Sequence, residues 1–140
     1  MNRRELLGAS VATLGGAALL ASTRATAAAA RGSNADLVDT TSHCLKVGLE
    51  CAAHCDEMLG MGNKDMAACR ASVTDMLAAC EALQRLAARG SKHTKAFAKN
   101  CAAICADCAK ACEPHAKTMD VCKTCMDACK ECEKACNAAA

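Results

Sequence analysis

Aromatic side chains are almost missing from this chain: it has one Phe, no Tyr and no Trp among 140 residues, and a single Pro. Without rings and with few large aliphatics, a core of ordinary density must be finished by something other than hydrocarbon. Only Phe97 could stack on a nucleobase. Charge of one sign is lacking too. Beyond Ala27, fourteen Lys and Arg face fourteen Asp and Glu, so there is no basic face to attract nucleic acid, and none is expected as a partner. The one mildly apolar run, ending near Leu20, is rich in Gly and Ala and shorter than the roughly 20 residues a spanning helix needs. No stable membrane anchor is therefore expected. Nothing resembles a hydrolase triad or a nucleotide-binding loop, and no enzyme is expected.

What the chain has instead is sulfur: fourteen Cys and seven Met. Cys101, Cys105, Cys108, Cys112, Cys122, Cys125, Cys129, Cys132 and Cys136 follow one another in steps of three or four within two runs. Such a step is one helical turn, so each run lays its thiols along one helix face. The same spacing places Cys44, Cys51 and Cys55 on a third face, and Cys69 and Cys80 on a fourth.

Turn signals divide the chain into four helices, about 36–58, 64–88, 92–113 and 118–136, within a bundle at 36–137. Ser33 or Asn34 caps the first, and Gly60 and Gly62 end it. Asn63 caps the second and Gly90 closes it. Ser91 opens the third, which stops before Pro114 because proline disfavours helix in the residue ahead of it. The inward stripes read Leu37, Thr41, Cys44, Gly48, Cys51, Cys55, Met58 and then Met66, Cys69, Val73, Met76, Cys80, Leu83, Ala87. Each repeats about every 3.5 residues, the period of a left-handed bundle. Short connections make neighbours antiparallel. The expected fold is all-α, an up-down-up-down four-helix bundle with a Cys-lined core.

Ahead of the bundle, Arg3-Arg4, the mildly apolar run and the small triplet Ala25-Thr26-Ala27 resemble a twin-arginine export signal. The expectations are a cleaved signal at 1–27, a flexible segment at 28–35 and a periplasmic protein. Fourteen cysteines in an exported chain suggest disulfides first. Yet thiols one turn apart on a helix have Cβ atoms about 5–6 Å apart, wider than the roughly 3.5–4.5 Å of an unstrained bridge. A disulfide-stapled bundle then needs bridges between helices. A ferredoxin-like redox protein is the other alternative, although Cys ligands of such clusters sit in irregular loops and one precedes Pro, unlike these.

Soft thiolates favour copper(I), zinc or iron-sulfur clusters. Zinc wants closed sites of four ligands, whereas thiols along a bundle axis offer mainly two-sulfur sites. The pairs Cys51/Cys55, Cys101/Cys105, Cys108/Cys112, Cys125/Cys129 and Cys132/Cys136 would suit copper(I). Charge balance bounds the load. Unpaired thiolates are costly to bury, so roughly seven to fourteen ions per chain are expected, depending on how many sulfurs bridge. Without metal the thiols can pack as small hydrophobes, so the apo-protein should fold. At one bundle end, His54, Met58, Met61 and Met66 gather near His115 and Met119, a set of neutral donors suited to passing a soft cation inward. Met76 and Met126 read as gap fillers. Leu37, Val38, Leu83, Leu86 and Phe97 would plug the opposite end.

From Ser42-His43-Cys44 through His54-Cys55-Asp56-Glu57-Met58, Met61 and Met66 to the Cys122–Cys136 run, the chain resembles the exported four-helix-bundle copper storage proteins of bacteria. The resemblance implies copper(I) storage, a homotetramer, and a His and Met cluster made of His54, Met58, Met61 and Met66. It implies, in methane-oxidising bacteria, supply of copper to methane monooxygenase. Cys101 is an addition to the usual set of the exported type, although its place on the stripe suits ligation.

Overall fold

The computed structural model describes residues 16–140. The chain divides into two compact units, Met1–Ala30 and Arg31–Ala140, and the second carries the bundle. The described elements are α1 (Gly16–Gly60), a single 3-10 turn (Lys64–Met66), α2 (Ala67–Ala88), α3 (Thr94–Cys112) and α4 (Asp120–Ala139). Arg3 and Arg4 lie outside the described residues. Residues 28–35, expected as a flexible segment, are helical, and α1 starts twenty residues before the expected Asp36. The stretch is largely Ala, the strongest helix former, and composition there outweighs the lack of an apolar stripe. Among the described residues no helix is long and apolar enough to cross a membrane.

The turns carry the expected chemistry with one shift. Gly62 rather than Gly60 takes the left-handed conformation that ends α1, at φ 89°. The Asn63 N–H then reaches back to the Met58 carbonyl at 3.0 Å and the Gly62 N–H to Leu59 at 2.9 Å, which satisfies two orphan carbonyls at the helix end. Gly90, at φ 63°, does the same for α2, with the Ser91 N–H on Leu86 and its own on Ala87, both at 2.9 Å. Asn63 accepts the Asp65 N–H through its side chain at 3.3 Å. The chain there makes one 3-10 turn before α2 proper. Ser91 accepts the Thr94 N–H through its carbonyl at 3.0 Å, so α3 starts at Thr94 and ends at Cys112, ahead of Pro114.

Neighbouring helices run antiparallel. Ser42 meets Gln84 and Asp56 meets Arg70 across α1 and α2, each contact 2.6 Å. Cys80 meets Cys101 and Cys69 meets Cys112 across α2 and α3. Cys44 meets Cys129 and His54 meets Met119 where α4 returns beside α1. In each pair the number rises on one helix as it falls on the other. The interior is the one the stripes describe: every stripe residue of α1 from Leu37 to Cys55, and of α2 from Met66 to Ala87, is buried. Leu37, Val73, Met76 and Leu83 are the bulk of its hydrocarbon. Apart from Met66, the rest of this core is Ala and Cys, small enough to bring the helices close around sulfur.

Candidate metal centre

All fourteen cysteines are free and have no solvent exposure. The helices aim them at one another. Sulfur–sulfur separations are 3.5 Å for Cys69 and Cys112, 3.8 Å for Cys44 and Cys129, and 3.8 Å from Cys80 to both Cys105 and Cys132. Within single helices, Cys101 and Cys105 stand 4.0 Å apart, as do Cys132 and Cys136. These gaps are far beyond the roughly 2.05 Å of a covalent S–S bond, so the stapled alternative does not describe the structure. They do fit a shared ion. Two sulfurs each about 2.3 Å from one metal stand about 3.5–4.0 Å apart when they subtend about 100–120°.

The thiols form groups larger than the pairs expected from spacing. Cys44, Cys80, Cys105 and Cys132, one from each helix, lie within 4.8 Å of one another. Four triangles accompany them: Cys51, Cys69 and Cys122; Cys51, Cys112 and Cys125; Cys101, Cys132 and Cys136; Cys108, Cys125 and Cys129. Cys51, Cys125 and Cys132 each serve two groups, the geometry of a bridging sulfur. Cys101, the addition to the usual set, is a full member of one triangle. Cys55 is buried beside His54 and stands outside these groups. Sequence spacing shows thiols one turn apart on a single helix, whereas every one of these groups joins different helices.

Hydrogen bonds among the sulfurs shift them in opposite directions. Cys69, through Cys112 first, is lowered to about 3, Cys101, through Cys105, to about 5, and Cys44, through Cys105, to about 6. Cys125 and Cys132 shift the same way, led by Cys108 and Cys101. Their partners Cys105, Cys112 and Cys129 are pushed up because ionising would cost a donated hydrogen bond. Burial raises Cys55 to about 12 and Cys122 to about 11, with the charge of Cys69 adding to it. In the metal-free core, protons hold the sulfurs together. A soft monovalent cation can take the place of such a shared proton between two sulfurs.

The Met and His end is less uniform than its sequence implies. His54 is half-buried, and its Nε2 lies 3.3 Å from the Met119 sulfur at the start of α4. Met58 is half-buried, Met61 is 67% exposed on the turn, and Met66 is wholly inside. The expected set His54, Met58, Met61 and Met66 therefore spans from solvent to core. Met119, expected near this set, is the one that His54 contacts directly. Met76, read as a gap filler, is in the core with its sulfur 3.4 Å from Cys44.

A family model for copper storage proteins matches residues 22–140. No curated protein matches. Among solved structures, a cytosolic copper storage protein from Streptomyces lividans carrying five coppers is similar, with a TM-score of 0.74 and 26% identity over 80% of this chain and 95% of that one. This finding overturns the expectation of a periplasmic location, because the solved relative is cytosolic. The four antiparallel helices, their sulfur-lined interior and the match along nearly the whole chain lead to one conclusion: the chain belongs to the copper storage protein family.

Proposed function

We propose that this chain stores many copper(I) ions on thiolates inside the bundle, with no catalytic turnover. The observation that carries it is the complete burial of all fourteen thiols, all but Cys55 in overlapping groups of three and four. A resident structural zinc needs one closed site of four ligands, whereas overlapping triangles with shared vertices multiply sites for a soft monovalent ion.

The ligands are Cys44, Cys51, Cys55, Cys69, Cys80, Cys101, Cys105, Cys108, Cys112, Cys122, Cys125, Cys129, Cys132 and Cys136. His54, Met58, Met61 and Met66 hand ions from solvent to the first thiols, and the His54–Met119 contact supports counting Met119 with them. Neutral donors hold a cation less firmly than thiolates do, which suits transfer in both directions. Leu49, 62% exposed on α1, gives the tetramer implied by the family an apolar contact residue.

Anaerobic titration of reduced, metal-free full chain with copper(I) against a competing chelator tests the reading. Uptake continuing past roughly seven ions per chain supports storage with bridging sulfurs. A break near one ion sinks it.

A further inference from the structure

Between Cys69 and Cys80 the inward stripe of α2 carries no thiol, only Val73 and Met76. On α1 the stripe between Cys44 and Cys51 holds Gly48. These two gaps meet. A Cβ placed on Gly48 would lie 2.5 Å from Met76 Cε and 3.0 Å from Leu77 Cδ2, so a side chain there would displace Met76. Gly48 is the notch that seats the thioether. Met76 is fully buried, with its Sδ 3.4 Å from Cys44 Sγ. Cys44 in turn belongs to the four-thiol group and stands 3.8 Å from Cys129, a member of the Cys108 and Cys125 triangle. The thioether thus sits beside the thiol that links two groups. Leu or Ile would fill the same volume at little cost, and packing alone gives no reason for sulfur at this point.

We propose that Met76 is itself a copper(I) ligand, sharing an ion with Cys44. The inference rests on the storage reading above and adds a donor of a different kind to it. A thioether is soft and uncharged, so it extends the sulfur path without adding a negative charge to the core. Two sulfurs each about 2.3 Å from one metal stand about 3.4 Å apart at an angle of about 95°. The unbranched Met chain can open that angle by small rotations.

The test uses the reduced full chain labelled at the methionine methyl carbons and titrated anaerobically with copper(I). The Met76 resonance is assigned by its absence from Met76→Leu, whose apo fold is checked by circular dichroism. The expected result is that the Met76 methyl resonance moves to a new position during loading. Met76→Leu should then hold about one ion fewer per chain under the same chelator competition, and Met76→Cys should regain it. A wild-type chain that loads many ions while the Met76 methyl stays at its apo position overturns the proposal, as does equal loading by Met76→Leu. Wild-type uptake that stops near one ion is a different failure, that of the storage reading itself.

Discussion

The two ends of the bundle are built from opposite materials. One end carries Leu37, Thr41, Leu83 and Ala87, all buried, with Val38 and Phe97 packed against them. The other carries His54, Met58, Met61 and Met119, half-buried or exposed, followed inward by Met66, Cys55 and Cys122. Hydrocarbon at the first end has no donor for a cation, and the buried Thr41 hydroxyl is already committed to the Leu37 carbonyl. Soft neutral donors at the second end form a graded path from solvent to thiol. The difference teaches that the reservoir opens at one end, and that stability and traffic are assigned to different residues.

Changes at the shared sulfurs should have the largest effect, because they remove what lies between the two ends. Replacing Cys51, Cys125 and Cys132 together with Ala leaves Cys44, Cys80 and Cys105 as the one surviving set of three. Copper capacity should fall by about half or more in anaerobic titration. The plugged end should answer differently. Leu37→Ala or Leu83→Ala should cost about 2–5 kcal/mol in denaturant unfolding of the apo-protein, with unchanged copper capacity. A drop in capacity from either change would show that both ends admit metal. At the open end, His54→Ala with Met119→Leu should slow uptake severalfold in stopped-flow loading while the final content stays the same.

The pH dependence of the apo-protein sharpens the same contrast. Cys55 and Cys122, next to the open end, are raised by burial from 9 to about 12 and about 11. A thiol whose folded pKa lies above its unfolded value adds stability that is fully present below pH 9 and is lost as pH rises toward 11–12. Urea midpoints measured across that window should fall, and Cys55→Ala should flatten the decline. The smallest effect is expected at the surface. The Arg70–Asp56 pair is 2.6 Å long but partly exposed on both sides, and Arg70→Ala should change stability by less than about 1 kcal/mol.

Much of this fold is legible in the sequence because sulfur replaces hydrocarbon on a strict helical period. The steps from Cys44 to Cys55 and from Cys122 to Cys136 name the inward faces, and Gly62, Gly90 and Pro114 mark where helices stop. What could not be read there is what comes together across helices. The group of Cys44, Cys80, Cys105 and Cys132 draws one residue from each helix, and helical spacing says nothing of relative axial position. The same limit hid the seating of Met76 over Gly48. The flexible segment expected at 28–35 failed for another reason. Ala-rich sequence satisfies the composition of an export signal and the propensity of a helix equally well, and the cytosolic relative overturns the periplasmic expectation.

The central claim is that copper resides on sulfur inside the barrel. Copper K-edge X-ray absorption of the saturated, reduced full chain tests it most directly. The account predicts a first shell of sulfur alone, about three per ion and about 2.3 Å away, with copper neighbours visible beyond it. A first shell dominated by nitrogen and oxygen would place the metal on the surface and contradict it.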